Sequence, residues 1–466
     1  MEKTSVRHIP IEVCTSYRKS KFLYFLRIED NCLVYDTLNT VLYKVDENDY
    51  NILQGNSDDL NDYLGTCREK CKLLCDRQLV YKSDFDQVNY MNYKIENIFH
   101  EPTLQLTIFP TNACDFRCKY CFESHRQDFM TDDIQNRIIK YLRSQIPKFN
   151  SVYICWFGGE PLLAKNRIFN IMEAAQDIGR RCGVPVVGQI TTNGYNLNLA
   201  TFEKLNELNV IHYHVTVDGP EDAHDSLRPH VSGKGTYRTI LNNLTEIKNK
   251  SKYHHFSIMI RSNANKSTYL KYGDFLNQVS PIFDGDSRFI FFVQKINDWG
   301  GEEVKQMSEK LLDSEKQLWE EVVPKMSTIN NNFGGMRNLS SVTSCSLKTR
   351  NSYAFYVDGS VYKCSMAIEG LSSENDFGKV GELLPNGRLR VDEAKLADFA
   401  KKPELHEKCS ECCWLPFCLA GMCPYAVARR NRLRCIVDDF GLSFYNDNLS
   451  DDFRRGRFVD ISNLKA

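Results

Sequence analysis

From residue 104 onward short β-rich runs alternate with amphipathic helical stretches, and no other feature narrows the possible folds so far. The runs "LQLTIF", "SVYICWF", "PVVGQITTNG", "VIHYHVTVDGP" and "HHFSIMIRSN" read as strands. Between them lie helical patterns such as "IQNRIIKYLRSQI", where apolar residues return every three or four positions. Strands separated by helices in this way pair as parallel βαβ units with right-handed crossovers. Repeated five or six times, they predict an α/β fold, a partial (β/α)6 barrel of the TIM type. In such a barrel functional residues gather at the C-terminal ends of the strands.

Those strand ends carry the chemistry. The first strand runs into "NACDFRCKYCFE", which sets Cys114, Cys118 and Cys121 within eight residues at C-x3-C-x2-C spacing. The second reaches Gly158-Gly159-Glu160-Pro161, the third Asn193-Gly194 and the fourth Asp218-Gly219. Three thiolates without a fourth cysteine suit an iron–sulfur cluster with one iron unligated by protein. Zinc needs a fourth ligand, and His125 is the nearest donor in sequence. Asn193, Thr216, Asp218 and Arg261 also suit turns and strand-end caps, since Asp-Gly-Pro is itself a good turn.

Bulk properties exclude several classes. The 466 residues exceed one simple core and imply two to four domains. A net charge of −1, with no basic stripe, argues against a nucleic-acid partner. The start "MEKTSVRHIPIEVCTSYRKS" lacks the pattern of a signal peptide, and no run of 18 apolar residues exists, so no membrane span is expected. The 18 cysteines mostly fall at two- to five-residue intervals. In a chain without an export signal this reads as metal ligation in a reducing cytoplasm.

The flanks differ from the centre. Residues 22–46 alternate apolar runs with turns at Glu29-Asp30-Asn31 and Thr37-Leu38-Asn39, predicting a three-stranded meander. Residues 47–80 then turn helical, with Leu60, Leu64, Cys67, Cys71 and Cys75 on one face. These three cysteines read as core, because free Cys packs as a small hydrophobe. Ser, Asn and Gly fill 327–341, a linker, and cysteines return at 345, 364, 409, 412, 413, 418, 423 and 435. The expected division is 1–98, 99–330, 331–450 and a tail of 451–466.

C-x3-C-x2-C after a first strand and G-G-E-P after a second resemble the radical S-adenosylmethionine enzymes. The resemblance implies a [4Fe–4S] cluster on Cys114, Cys118 and Cys121, its open iron chelated by S-adenosylmethionine. One electron, from a flavodoxin- or ferredoxin-type donor, then releases a 5′-deoxyadenosyl radical. It further implies cofactor contacts from Tyr120, Gly158, Gly159, Glu160 (to the methionine ammonium), Asn193, Thr216, Asp218, Arg228 and Arg261.

The second cysteine set is similar to the SPASM domain, which holds two auxiliary iron–sulfur clusters. Carried over by position, Cys409, Cys412, Cys418 and Cys435 hold the outer cluster and Cys345, Cys364 and Cys423 the inner one. Four residues rather than three separate Cys418 from Cys423, and no cysteine lies in 339–344. The inner cluster is thus left with an open iron, or with Cys413 as its ligand. A treble-clef zinc knuckle is the plainer alternative for 409–435. Residues 1–98 resemble the PqqD-like element of ribosomal-peptide maturases, which binds a leader peptide by strand addition. Its plainer alternative is a cap on the barrel.

Together these imply a cytoplasmic peptide maturase acting on a precursor peptide docked by its leader. Installation of a cross-link, first a thioether and second a carbon–carbon link, is the expected reaction. An anaerobic sulfatase maturase shares the barrel and SPASM domain. It carries an aspartate directly after the cysteine matching Cys364, where this chain has Ser365. A zinc-stabilised peptide-binding scaffold is the non-enzymatic alternative.

Overall fold

The turn signals at 29–31 and 37–39 fold as hairpins. In the computed structural model, which describes residues 16–99, 102–297, 302–307, 310–312, 349–365, 368, 378–400, 407–418 and 435–462, a short β1 (Tyr17–Lys19) precedes β2 (Leu23–Ile28), β3 (Asn31–Asp36) and β4 (Val41–Val45). These last three pair antiparallel as a meander. Three helices follow: α1 (Glu47–Gln54), α2 (Ser57–Thr66) and α3 (Arg68–Asp76). Asp46 and Asn56 cap the first two by accepting from backbone N–H groups. The helical stretch breaks at Cys67, so the cysteine face is split between two helices. Cys71 and Cys75 pack half-buried against the domain core, in keeping with the reading of them as core residues. β5 (Val80–Lys82) pairs antiparallel with β1, and α4 (Gln87–Phe99) leads to the barrel.

The alternating segment forms β6 (Thr103–Ile108), α5 (Asp132–Gln145), β7 (Ser151–Trp156), α6 (Lys165–Cys182), β8 (Val186–Thr192), α7 (Leu199–Glu207), β9 (Val210–Thr216), α8 (Glu221–Leu227), α9 (Tyr237–Lys250), β10 (Ser257–Ala264), α10 (Tyr272–Phe283) and β11 (Phe289–Lys295). Each strand pairs parallel with the next in chain order, giving the six strands of a (β/α)6 part barrel. Period-two alternation sorts the side chains. Val152, Ile154 and Trp156 of β7 are buried in the main core with helix residues such as Ile168, Ile171 and Met172. Tyr153 and Cys155 point the other way. Thr131 caps α5 and Asp132 and Asp133 follow in its first turn, which satisfies free N–H groups and the helix dipole.

The C-terminal part continues the same sheet instead of forming a separate one. β12 (Ser352–Phe355) adds parallel to β6, and β13 (Ser360–Tyr362), β14 (Lys379–Leu383) and β15 (Leu389–Val391) follow antiparallel, making ten strands in one sheet. After α11 (Glu393–Ala400) come helical turns at Glu407–Ser410 and Leu415–Cys418, then α12 (Ile436–Arg454). The segment read from sequence as a tail does not stand apart, for β16 (Val459–Asp460) pairs parallel with β4 at the edge of the N-terminal sheet. Trp414 ties the two ends together, its ring 4.9 Å from Tyr24, 5.9 Å from Tyr35 and 4.1 Å from Tyr445. Among the described residues no helix is long and apolar enough to cross a membrane.

Candidate active site

The loop after β6 is built as one half of a ribbon. Val231 N–H donates to Asp115 O at 2.8 Å, Arg117 N–H to Pro229 O at 2.9 Å and Lys119 N–H to Leu227 O at 3.0 Å. Residues 115–119 therefore run antiparallel to 227–231, the segment that follows α8. Phe116 anchors the loop in the core, fully buried, with the Arg228 guanidinium 5.6 Å from its ring centre. Thr111 braces the other side, its hydroxyl donating to Asp128 O at 2.7 Å and accepting from Ala113 N–H at 3.0 Å.

Cys114, Cys118 and Cys121 wall one cavity of about 490 Å³. Burial pushes all three thiols up, so as isolated groups they keep their protons. Gly158 and Gly159 line the same cavity, and here only glycine fits. Gly158 has φ +126°, and a Cβ on it would sit 2.3 Å from Thr111 O. A Cβ on Gly159 would sit 2.3 Å from Asn112 O. The second strand end thus packs backbone to backbone under the cysteine loop.

Of the sequence-derived cofactor residues, Tyr120, Asn193, Thr216, Arg228 and Arg261 line this same cavity. Glu160 and Asp218 lie behind its wall, both buried. Glu160 accepts three internal bonds, from Leu162 N–H at 2.9 Å, the Thr192 hydroxyl at 2.7 Å and Asn193 N–H at 2.7 Å. Burial pushes its carboxyl up to about 7, against the pull of those three bonds. These bonds lock the β7 and β8 ends together. Asp218 accepts from the Tyr120 hydroxyl and, at 2.6 Å, from Asn263 N–H. Tyr120 accepts in turn from Arg228 Nη1 at 2.6 Å and Asn263 Nδ2 at 3.1 Å.

Four contributors were missed in the sequence. Asp115, beside the first cysteine, accepts from Asn193 Nδ2 and Asn196 Nδ2, each at 2.7 Å, joining the loop to the β8 end. Asn263 completes the Tyr120 network. His224, fully buried, accepts from Asp218 N–H at 3.0 Å and lies 3.0 Å from the Thr236 hydroxyl. His214 lines the cavity, where burial and then the Arg261 charge lower its pKa to about 4. Polar residues of this kind carry no signature beyond loop chemistry; only "VTVDGPEDAHDSLRP", dense in polar groups after a strand, contains one of them, His224.

Among the described residues no group of three or more His, Cys, Asp or Glu side chains is placed to hold a single metal ion. Three cysteines around a cavity of this size fit a cluster seated between them, and His125, though on the same wall, does not complete a zinc site. Of the second cysteine set, Cys364 is buried and Ser365 beside it lines the cavity. Cys409 and Cys412 stand one helical turn apart and, with Cys435, are close enough for their charges to interact. Cys418 ends the turn Leu415–Cys418. Cys413 lies close enough to Tyr24 of the N-terminal sheet for their charges to interact. Cys345 and Cys423 lie outside the described residues.

Part barrel and three-cysteine loop define a class, enzymes that generate a radical from S-adenosylmethionine at a [4Fe–4S] cluster. Residues 108–271 match the radical SAM superfamily, so this part of the chain is a radical SAM domain. It is 22% identical over 344 residues to a serine-type anaerobic sulfatase-maturating enzyme of Klebsiella pneumoniae, covering 69% of this chain and 82% of the relative. It is 34% identical over 128 residues to an uncharacterized protein of Methanocaldococcus jannaschii, covering 27% of this chain and 41% of that one. The chain thus spans about two fifths of the latter's length. A solved structure of anSMEcpe with bound AdoMet and Kp18Cys peptide superposes with a TM-score of 0.53 at 18% identity, covering 76% of this chain and 98% of that one.

Proposed function

We propose that the chain is a peptide maturase that abstracts hydrogen from a precursor peptide and installs a cross-link, most readily a thioether. The observation that carries this reading is the shared cavity: the three cysteines, Gly158, Gly159 and Ser365 of the C-terminal region line one space. When bound, the cluster and S-adenosylmethionine supply the 5′-deoxyadenosyl radical. The chain's own residues do the rest. Tyr120, Arg228, Asp218 and Asn263 hold the rim in one hydrogen-bonded unit, and Asp115 with Glu160 fixes the strand ends beneath it. The buried walls keep water from a reactive carbon centre.

Cys409, Cys412, Cys418 and Cys435 are proposed to hold one auxiliary cluster, and Cys364 with Cys345 and Cys423 another. A substrate thiol bound at an open auxiliary iron would lose its proton there, which suits sulfur–carbon bond formation. The N-terminal domain is the proposed leader-docking module. Sulfatase maturation is the second reading, favoured by the Klebsiella pneumoniae relative. Ser365 weighs against it, since a serine hydroxyl cannot serve as a carboxylate base on the cavity wall.

The test is to replace Cys114, Cys118 and Cys121 together by Ala, reconstitute anaerobically, and assay 5′-deoxyadenosine after dithionite. The native chain is expected to release it and to bind about three clusters' worth of iron. The variant is expected to release none and to lose about one cluster's worth. Undiminished release sinks the assignment, and a native chain settling near one cluster refutes the auxiliary sites. Sulfatase peptides and candidate cysteine-bearing precursors, assayed side by side by mass, separate the two readings.

A further inference from the structure

Both faces of the β2–β4 sheet are covered. On one, Leu53, Leu60, Leu64 and Leu74 of α1–α3 pack against Val34 and Tyr43. On the other, Trp414, Tyr445 and Leu449 share the core that holds Leu26, Leu33 and Tyr35. A peptide that reaches this sheet therefore meets an edge.

At the β4 edge a strand is already seated, and it is the chain's own. Val459 and Asp460 pair in parallel with Tyr43 and Lys44, and Ile461 N–H donates to Lys44 O at 2.9 Å. Side chains alternate along it. Ile461 is 1% exposed within the N-terminal core, and Val459 packs half-buried against the same core. Asp460 between them points to solvent, opposite Lys44 in register. The hold is short, two paired residues and one further backbone bond, and it follows Gly456, whose φ of +71° turns the chain out of α12.

We propose that the β4 edge is an acceptor for an extended peptide of apolar–acidic–apolar pattern, and that residues 459–461 are its resident occupant, displaced when a partner strand adds. Main-chain bonds to β4 supply affinity, and the pockets that now take Val459 and Ile461 supply sequence preference. Left empty, such an edge would pair with other chains, which gives the resident strand a reason to exist. That the partner strand is a precursor's leader rests on the maturase reading. The acceptor edge itself does not.

The probe is a fluorescein-labelled peptide of residues 455–462, followed by anisotropy against the reconstituted chain. A chain ending at Gly456 is expected to bind it saturably. The full chain should bind at least about tenfold more weakly, because its tethered segment competes at an effective concentration near mM. The same peptide with Ile461→Asp should not bind. Far-UV circular dichroism and iron content establish that the truncated chain is folded. Full-length Ile461→Ala, which loosens the resident strand without removing it, should bind with intermediate strength and serves if truncation prevents folding. Failure of both altered chains to bind overturns the proposal, and so does equal binding by full and altered chains. No precursor peptide enters the experiment, so its result stands apart from whether the enzyme modifies peptides.

Discussion

Cys118 and Arg228 face each other across the ribbon, because the backbone bonds Arg117 N–H to Pro229 O and Lys119 N–H to Leu227 O flank them at 2.9 and 3.0 Å. Residues so placed in an antiparallel pair have closely spaced Cα atoms. Both side chains line the cavity, and Arg228 is only 5% exposed. A buried cation thus stands beside the loop proposed to hold the cluster.

That placement predicts a redox effect. A positive charge several ångströms from the cluster favours its reduced, more negative form. Arg228→Gln should lower the cluster's reduction potential by about 50–100 mV, taking an effective dielectric near 20. Arg228→Lys, which keeps the charge, should shift it much less. Electron paramagnetic resonance during a potentiometric titration measures both. An unchanged potential in Arg228→Gln would show that the guanidinium acts only through Tyr120.

Gly159→Ala should prevent the cavity from closing. The added Cβ would meet Asn112 O at 2.3 Å and Ala113 O at 2.5 Å, two backbone atoms on the first turn of the cysteine loop. Neither can move without dragging Cys114. The expected outcome is a chain that folds with its barrel but retains roughly one cluster's iron less than the parent. Iron assay and absorbance after anaerobic reconstitution read this directly. Gly65→Ala, where a Cβ meets nothing within 4 Å, is the matched control and should leave iron content unchanged.

His224 gives a pH dependence whose sign is fixed by its bonds. Asp218 N–H donates to Nδ1, and Thr236 donates its hydroxyl hydrogen to Arg228 O at 2.9 Å, so Thr236 must accept from Nε2–H. The ring is therefore a neutral Nε2–H tautomer with both nitrogens used. Burial, then the Arg228 charge, holds its pKa well below 6.5. The unfolded chain binds a proton that the folded chain refuses. Stability from this site is thus full above about pH 6.5 and falls as pH drops below it, by up to about 1.4 kcal/mol per unit. His224→Gln can make both bonds without titrating. It should flatten the decline between about pH 6.5 and 5 by one proton's slope, leaving the part due to His214. Denaturant unfolding at several pH values is the measurement, and an unaltered slope refutes the assignment.

The parts of this site that were legible share one property: their chemistry depends on spacing along the chain. C-x3-C-x2-C and Gly158-Gly159 are local, and strand–helix alternation placed both at strand ends. What was not legible depends on partners distant in sequence. Asp115 reads as a loop acid until Asn193 and Asn196 arrive 78 and 81 residues later. Glu160 stands in G-G-E-P, which is local, but the bonds that it takes from Thr192 and Asn193, over 30 residues on, show only in the fold. The pairing of β12 with β6, and of Val459–Asp460 with β4, joins segments separated by most of the chain. Two residues carry no period from which a strand can be read.

Trp414→Ala tests how the two ends of the chain are held together. Trp414 is 2% exposed and packs at a tilt against Tyr24, Tyr35 and Tyr445, so three segments meet at one ring: β2, β3 and α12. It also sits next to Cys412 and Cys413 in sequence, and Thr37 Oγ1 donates to Cys413 O. Removing a buried Trp typically costs about 3–5 kcal/mol, through lost burial and the cavity left behind. A chain of several parts need not unfold in one step, so a single midpoint would blur the effect. Hydrogen exchange resolved by segment will not. Protection should fall in β2, β3 and α12, while β6–β10 of the barrel stay as in the parent. If Cys409 and Cys412 hold a cluster as proposed, iron content should fall as well, because the turn that carries them loses its anchor. Uniform loss of protection across the barrel would instead mean that Trp414 belongs to one global core, and would refute its role as a local clasp.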